Sequence, residues 1–384
     1  MDDLAVAYVL KEALEGETRV AATPATVKRY IKAGFEVVVQ AGAGDLSFFA
    51  DAEYAKAGAT IDTDGSKVAS ADVVMQVAVP TVEQVDRLRD GSALVSYLWA
   101  YEHLDVVQKL VDKKIGAFSM DAIPRITRAQ KDDARSSQAN IAGYKAVLMA
   151  ADHLPRVMPM LMTAAGTIKP AKVVIIGAGV AGLQAIATAR RLGAVVEVSD
   201  VRPAVEEQVK SLGATYIKVE TDEDLADAGG YAKEQSDDFK KLQQQTLEKH
   251  LIAADIIICT ALIPYRDAPV IVNAGVVEQM RAGSVIVDLA AERGGNCELT
   301  EAGKVVSKHN VTLVGTLNVN SLVPVHSSDM YSNNVRNVLL DFIKEGVFAW
   351  DLEDDIVQGA LITHDGQVRD ERVKEALSAS GSDA

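Results

Sequence analysis

Cysteine, aromatic residues and positive charge are all scarce in this sequence. Its 384 residues include two cysteines and 5% aromatic residues, and the formal net charge is −15. Cys259 and Cys297 form no C-x-x-C pair, so we expect buried, reduced thiols rather than a disulfide framework or a zinc site. The negative charge argues against nucleic acid or an anionic membrane as a direct electrostatic partner, although it does not exclude a protein partner.

Signals for secretion, membrane insertion and metal binding are also missing. Met1–Asp3 provides no basic region, and the histidines fall at no spacing typical of metal ligands. The mostly apolar stretch from Val173 to Ala189 is nearly long enough for a membrane span, but its glycines and Gln184 favour a strand followed by a helix. We therefore expect a soluble, cytoplasmic chain without a metal site.

What the sequence does contain is a repeated alternation of short apolar runs with helical patterns. Its length exceeds what one hydrophobic core usually supports, so two domains are expected. We predict an α/β fold of two domains separated by a cleft, each a parallel sheet with helices on both faces. The predicted boundaries give one domain at 1–135 plus 328–384 and a second domain at 136–327.

The stretch from Lys172 to Asp200 has the pattern of a strand, a glycine-rich turn, a helix and a second strand. Gly177 permits a tight turn, Gly179 lets the backbone approach a pyrophosphate, and Gly182 lets the helix pack closely on the strand. The amides at the helix N-terminus attract phosphate. This arrangement predicts a dinucleotide-binding Rossmann domain, and the alternative is a glycine-rich packing turn.

The acidic residue at the end of the second strand predicts which dinucleotide binds. Asp200 is placed to accept hydrogen bonds from the ribose hydroxyls, which favours NAD over NADP because a carboxylate repels a 2′-phosphate. Arg202 could soften that preference, but we expect it to be a surface residue at a helix start. Val180 and Val201 are included among the predicted nucleotide contacts.

Other strand ends in the second domain supply further candidates, because ligands of parallel sheets bind at the carboxyl ends of the strands. Thr260, Ala261 and Leu262 follow one predicted strand, and the alternative interpretation for them is a plain strand exit. Asp288 ends another strand, with Glu292 nearby, and the alternative for Asp288 is a helix cap or turn.

Two polar stretches lack a clear periodicity. The first runs from Asp121 to Gln138, before a predicted helix at Ala139–Ala151, and its composition alone favours a solvated linker. The second, 221–242, contains Gly230 and Tyr231, and irregular stretches of that length are uncommon without a functional reason or disorder.

Several segments together resemble the alanine dehydrogenase and nicotinamide nucleotide transhydrogenase superfamily. Their combination, over essentially the whole chain, is similar to the soluble NAD(H)-binding alpha subunit of proton-translocating transhydrogenases. The segments are Gly16–Ala21 with Thr23–Pro24, Pro124–Gln130, Gly143–Tyr144, Gly177–Gln184, Gly229–Lys233, Thr260–Pro264, Val287–Ala290 and Gly294–Cys297.

This resemblance implies a reaction and its partners. Hydride would pass between NAD(H) on this chain and NADP(H) on a beta subunit, coupled to proton translocation in membrane subunits. A homodimer, held peripherally at the inner membrane through those partners, is implied as well. No span is predicted within the chain itself.

The resemblance also assigns roles to individual residues. Arg125, Gln130, Asp133 and Ser136 would lie over the nicotinamide and its ribose, and the Tyr231 segment, with Gly230, would close on the bound nucleotide. The solvated-linker interpretation loses weight accordingly. Charged residues within this first loop depart from the expected family pattern; they are Lys131, Asp132 and Arg135.

Two alternatives to transhydrogenation remain open: an amino-acid dehydrogenase and an NAD-binding regulatory module. Oxidising an amino acid requires proton handling and carbonyl polarisation, which in alanine dehydrogenases depend on a lysine and a histidine. By resemblance those positions are occupied here by Ala78 and Trp99, whereas Arg19 remains and Glu292 replaces an aspartate. Hydride transfer between nicotinamides needs only close, oriented rings. The sequence therefore favours transhydrogenase.

Overall fold

The computed structural model describes residues 4–218, 237–263 and 266–380. The predicted site residues Gly230 and Tyr231 lie outside these ranges. Within the described ranges, no helix is long and apolar enough to cross a membrane.

The N-terminal part alternates short strands with helices, as predicted, except that the third strand was missed. The elements are β1 (Val6–Val9), α1 (Pro24–Lys32), β2 (Glu36–Gln40), α2 (Asp51–Ala57), β3 (Thr60–Asp62), β4 (Val73–Met75), α3 (Val82–Arg87), β5 (Ala93–Ser96), α4 (Leu104–Asp112) and β6 (Gly116–Ser119).

Strands β4 and β5 end sooner than predicted because carboxylates beyond them take backbone amides. The amides of Val77 and Ala78 donate to Glu12, at 2.7 and 3.1 Å. The amide of Leu98 donates to Asp121 at 2.8 Å. These side chains end the ladders by replacing strand partners, which the apolar runs alone could not reveal.

The central part contains the glycine-rich turn and a short hairpin that was not predicted. The elements are α5 (Ala134–His153), β7 (Leu161–Thr163), β8 (Gly166–Ile168), β9 (Lys172–Ile176), α6 (Val180–Arg191), β10 (Val195–Ser199), α7 (Glu206–Ser211), β11 (Thr215–Tyr216), α8 (Asp237–Ile252), β12 (Ile256–Cys259), α9 (Ala274–Gln279), β13 (Val285–Asp288), β14 (Val305–Lys308) and β15 (Val311–Val314). Helix α8 includes the residues from 237 to 242, for which the sequence predicts an irregular stretch.

The C-terminal part is regular, although its acidic composition suggests an irregular tail with one strand at 358–363. The strand begins later, at Leu361, because Asp354 starts a helix by accepting the amide of Ile356 at 2.8 Å. The elements are α10 (Pro324–Asp341), β16 (Ile343–Lys344), β17 (Val347–Phe348), α11 (Asp355–Ala360), β18 (Leu361–His364), β19 (Gln367–Val368) and α12 (Glu371–Ser380).

The chain divides into two compact units, each with its own sheet. Unit 1 comprises the residues up to Gln138 and from Asn320 onward, and unit 2 comprises Ala139–Val319. The sheet of unit 1 has the order β19-β18-β6-β5-β4-β1-β2-β3, and that of unit 2 has the order β11-β10-β9-β12-β13-β15-β14. The prediction of an α/β fold dominated by parallel sheets is confirmed.

An antiparallel edge in each sheet was not predicted. Strand β14 pairs antiparallel with β15, and β18 pairs antiparallel with both β6 and β19. Two-residue turns join both hairpins, and His309, Asn310, Asp365 and Gly366 adopt the positive φ angles that such turns require. Strand β15 therefore does not close its sheet, as predicted, because β14 lies outside it.

The sheet of unit 2 is buried on both faces. Val173 and Ile175 of β9 belong to one hydrophobic cluster, whereas Val174 and Ile176 belong to another. Alternate side chains of a strand point to opposite faces, so both faces pack against helices and loops. This leaves the carboxyl ends of the strands as the open edge at which a ligand can bind.

Candidate functional site

The turn between β9 and α6 requires glycine at some positions and leaves space at another. Gly177 has a φ of +94°, and a Cβ on Gly182 would lie 1.8 Å from the carbonyl oxygen of Gly177. A Cβ on Gly179, in contrast, would meet nothing within 4 Å. The first two glycines are needed by the fold, whereas the third leaves room for a ligand to approach the backbone.

This space lies at the start of α6. The helix begins at Val180, and Gly179 precedes it in an extended conformation without a side-chain cap. The first amides of the helix are thus not covered by a capping side chain, and the helix dipole favours an anion beside them. Gly143 supports the helix from behind, because a Cβ there would lie 2.1 Å from the carbonyl oxygen of Ala181. The cradle fits a pyrophosphate.

Asp200 lies at the end of β10, where the sequence predicts a ribose contact. Its Oδ2 accepts the amide of Ala178 at 2.7 Å, which fixes the carboxylate against the glycine-rich turn. Burial alone would raise the pKa of Asp200, but hydrogen bonds from Arg202 and Ala178 outweigh burial and hold the pKa below its usual value. The group is therefore an ionised acceptor at neutral pH.

The expectation that Arg202 is only a surface residue at a helix start is wrong. Its Nε lies 3.0 Å from Oδ1 of Asp200, and its Nη2 lies 2.9 Å from Oδ2. The guanidinium remains largely exposed, while the carboxylate is buried. Asp200 is thus half of a forked ion pair, which reduces the net charge that a 2′-phosphate would meet.

The other predicted nucleotide contacts differ in exposure and orientation. Val180, Val201 and Leu262 are exposed apolar side chains at the carboxyl edge of the sheet. The hydroxyl of Thr260 points inward and donates to the carbonyl oxygens of Ile176 and Gly177, at 2.9 and 3.0 Å. It braces the glycine-rich turn.

Asp288 has the structural role that its alternative interpretation proposed. The carboxylate is buried and accepts the amides of Ala290 and Cys297, each at 3.0 Å, and the hydroxyl of Thr300 at 2.9 Å. It organises the turn that follows β13. Asn296, within that turn, received no role from the sequence.

The polar segment of unit 1 is more ordered than its composition suggested. It forms a 3₁₀ helix at Thr127–Lys131, and α5 then begins at Ala134 rather than at the predicted Ala139. The early start has a local cause: Asp133 accepts the amide and the hydroxyl of Ser136, at 3.0 and 2.6 Å. A cap therefore joins two of the predicted catalytic residues.

Arg125 and Gln130 differ from that capped pair. Both side chains are exposed, and neither forms a hydrogen bond or ion pair with another residue in the part of the chain that the structure describes. The backbone between them is anchored, because Arg128 forms a forked pair with Asp354 at 2.8 and 3.0 Å. Two unused polar side chains on an anchored segment fit a binding role better than a linker role.

Charges that depart from the family pattern have different environments in the structure. Lys131 pairs with Asp341 at the surface, and Arg135 donates to the carbonyl oxygen of Ile123 at 3.2 Å. Asp132, in contrast, is 1% exposed, and its carboxylate oxygens have no hydrogen-bond partner among the described residues. Burial raises the pKa of Asp132 to about 6.

Replacing Asp132 with asparagine is expected to stabilise the chain at neutral pH but not in acid. A carboxyl whose pKa rises on folding binds its proton more tightly in the folded state, so the stability it contributes is lost as pH rises through about 6. The variant lacks that loss. We expect a gain of about 1–2 kcal/mol at pH 7.5, after allowance for partial solvation.

The measurement is the difference in unfolding free energy between Asp132→Asn and the wild type at pH 4.5 and pH 7.5. Asp341→Asn, at the surface nearby, serves as the matched change and is expected to give no comparable gain at pH 7.5. A difference for Asp132→Asn that does not grow with pH would contradict this interpretation of the buried carboxyl.

A buried arginine in unit 1 is committed to internal partners. Nε and Nη2 of Arg19 donate to the carboxylate of Glu17, at 2.8 and 2.6 Å, and Nη1 donates to Gln138 at 2.9 Å. The half-buried ring of Trp99 stacks on Tyr97, with ring centroids 5.8 Å apart. This arrangement neutralises Arg19 and supplies no proton-transfer group at residue 99.

No group of side chains suited to a metal ion occurs among the described residues. The two cysteines are both buried, and burial raises the pKa of each thiol. They are poor nucleophiles and poor ligands in this state.

Comparisons with known proteins bear on both units. The model described as alanine dehydrogenase/PNT, N-terminal domain, matches residues 8–142, and the C-terminal domain model matches residues 146–371. An NAD(P) transhydrogenase subunit alpha chain of Rhodospirillum rubrum is 44% identical over 382 residues, covering 97% of this chain and 98% of the relative.

A solved structure and a more distant relative complete the picture. The crystal structure of transhydrogenase from Sinorhizobium meliloti matches with a TM-score of 0.83 at 41% identity, covering 94% of this chain and 98% of that chain. Alanine dehydrogenase 2 of Staphylococcus aureus is 27% identical over 377 residues, covering 96% of this chain and 95% of the relative.

Proposed function

The chain belongs to the alanine dehydrogenase/PNT family, and from that premise we propose that it is the NAD(H)-binding component of a proton-translocating transhydrogenase. The reaction converts NADH on this chain and NADP⁺ on a partner subunit into NAD⁺ and NADPH. Hydride moves directly between the nicotinamide rings, and the membrane subunits couple this transfer to proton movement. The peripheral membrane position and the homodimer belong to the same proposal.

The cradle beside Gly179 is the observation that carries the NAD(H) assignment. Its open space and the start of α6 suit the pyrophosphate, and Asp200 provides an ionised acceptor for the adenosine ribose. Bound NAD(H) supplies the hydride chemistry. The residues of unit 2 bind and orient the nucleotide, without proton transfer.

The absence of side chains for amino-acid chemistry at the family positions favours transhydrogenation over dehydrogenation. Ala78 and Trp99 cannot exchange protons with a substrate amine, and Arg19 is already neutralised by Glu17. Hydride transfer between two nicotinamides needs orientation and close approach rather than an acid or base. The roles proposed for Arg125, Gln130, Asp133 and Ser136 are therefore positioning roles toward the nicotinamide half.

The test separates three functions in one preparation. The purified chain is mixed with an NADP(H)-binding transhydrogenase domain, and reduction of a nicotinamide analogue is followed. Transhydrogenation is expected to appear only in the mixture. NAD reduction by alanine without a partner would favour an amino-acid dehydrogenase, and NADH binding without any transfer would favour a regulatory module.

NADH is expected to bind at least about tenfold more tightly than NADPH, because the 2′-phosphate would approach the buried Asp200 carboxylate and lose the ribose hydrogen bonds. Calorimetry with both nucleotides measures this ratio. Asp200→Asn should narrow it, because the amide removes the negative charge but keeps an acceptor for Ala178. Tighter binding of NADPH by the wild type would refute the role of Asp200.

Arg202→Gln is the matched variant for the partner of that carboxylate. Arg202 is the cation beside Asp200, so its removal is expected to weaken NADPH more than NADH and thereby widen the ratio. An unchanged ratio in both variants would place cofactor choice elsewhere.

A further inference from the structure

The segment Gly294–Cys297 follows β13 and turns sharply beneath the end of β12. Gly294 and Gly295 have φ angles of +90° and +85°, and a Cβ on Gly295 would lie 2.8 Å from Oδ2 of Asp288. The next residue, Asn296, is fully buried. The turn therefore places an amide side chain inside unit 2 at a position that only glycines before it permit.

The side chain of Asn296 pairs with the backbone of Ala261 in both directions. Its Oδ1 accepts the Ala261 amide at 3.0 Å, and its Nδ2 donates to the Ala261 carbonyl oxygen at 2.8 Å. Nδ2 also donates to the carbonyl oxygen of Pro269 at 2.9 Å. One side chain thus fixes the orientation of the strand exit at Ala261 and ties it to a second segment.

The backbone of Asn296 adds to this anchoring. Its carbonyl oxygen accepts the amides of Ile271 and Val272, at 2.8 and 2.9 Å. Asp288 holds the turn from the other side through the amide of Cys297. The position of Asn296 is therefore set independently of any nucleotide.

Thr260 connects this anchored exit to the nucleotide cradle. Its hydroxyl donates to the Gly177 carbonyl oxygen, and Ala261, whose peptide Asn296 holds, follows it directly. A change in the orientation of Ala261 would consequently be transmitted to both Thr260 and Leu262. Buried polar networks of this kind hold a site rigid only when every member is paired.

We infer that Asn296 is a positioning residue for the dinucleotide, holding the Thr260–Leu262 edge in its binding orientation before NADH arrives. The inference rests on the proposed function of this edge. Both backbone polar groups of Ala261 are used by Asn296, so neither hydrogen-bonds to the nucleotide. The contact predicted for Ala261 is accordingly made by its methyl group, beside the exposed Leu262.

Asn296→Ala is expected to weaken NADH binding at least about tenfold, which corresponds to the loss of one or more hydrogen bonds. Asn273→Ala is the matched control in the same unit. Asn273 caps α9 by accepting the amide of Val276 at 2.9 Å and also donates to Glu248, away from the strand exits. It should lower stability while changing NADH affinity less than threefold.

Asn296→Asp separates positioning from general packing. At pH 8 its carboxylate faces the carbonyl oxygens of Ala261 and Pro269, whereas a protonated carboxyl at pH 6 can donate to one of them. NADH affinity relative to the wild type should therefore recover as pH falls from 8 to 6. A packing role would give equal losses at both pH values.

Hydrogen exchange in the wild type supplies a measurement that needs no variant. Without NADH, the Ala261 amide is expected to be protected already, because Asn296 accepts it in the free protein. Rapid exchange that slows only on NADH addition would overturn the inference, as would unchanged NADH affinity in folded Asn296→Ala. If the wild type itself fails to bind NADH, the proposed function fails instead.

Discussion

Gly179→Ala is expected to reduce NADH affinity by about a hundredfold or more while leaving the chain folded. The backbone of Gly179 is extended, with φ −75° and ψ −170°, which alanine adopts without strain. A Cβ there would meet no protein atom within 4 Å, so it enters the space assigned to the pyrophosphate. The methyl group would displace the phosphates from the first amides of α6.

Calorimetric titration with NADH and a thermal unfolding curve measure the two halves of this expectation. Gly275→Ala, in the first turn of α9, is the matched change and should bind NADH normally. Gly182→Ala should instead lower stability, because its Cβ would lie 1.8 Å from a carbonyl oxygen. Normal NADH affinity in Gly179→Ala would remove the pyrophosphate from this turn.

Gln130→Asn is expected to slow hydride transfer by about a hundredfold in the complex with an NADP(H)-binding domain, while NADH still binds. The exposed side chain makes no hydrogen bond or ion pair to any residue within the described ranges, so shortening it costs the fold little. A loss of about 1 Å in reach is enough to misplace reacting groups and reduce a rate to this extent.

Single-turnover transfer and NADH affinity are measured in parallel for this variant. Gln358→Asn, another exposed glutamine of unit 1, provides the same chemical change outside the proposed site. Its transfer rate should match that of the wild type. Unchanged transfer in Gln130→Asn would withdraw Gln130 from the reaction, and a matching loss of NADH affinity would assign it to binding instead.

Local patterns predicted the dinucleotide unit well because its features are close in the sequence. The apolar run of β9, the glycines and the helix of α6 lie within one short stretch, and each glycine has an immediate steric reason. The capped start of α5 was also local, and Asp133 followed three residues later by Ser136 was the signal that could have revealed it.

Long-range pairs could not be predicted from such patterns. Asn296 and Ala261 are 35 residues apart, and Arg128 and Asp354 are 226 residues apart. A side chain that pairs with a distant backbone group leaves no periodicity in the sequence. The motif Gly294–Cys297 was recognised for this reason only by its resemblance, and its structural purpose became apparent from the contacts of Asn296.

The antiparallel edges show the same limit in a different form. Strand β14 is short and half exposed, so its composition resembles that of a loop. Only pairing with β15 defines it as a strand. Arg202 likewise has the composition of a surface residue, and its fork on Asp200 depends on side-chain geometry that spacing does not encode.

Transfer of an isotopic label tests direct hydride exchange between nucleotides most directly. NADH carrying deuterium at the transferred C4 position is mixed with this chain, an NADP(H)-binding transhydrogenase domain and NADP⁺ in ordinary water. The deuterium is expected in NADPH, with none released to solvent, because hydride passes between the rings without a proton-exchanging intermediate. NADPH formed without the label, or no NADPH at all, would contradict the proposed transhydrogenation.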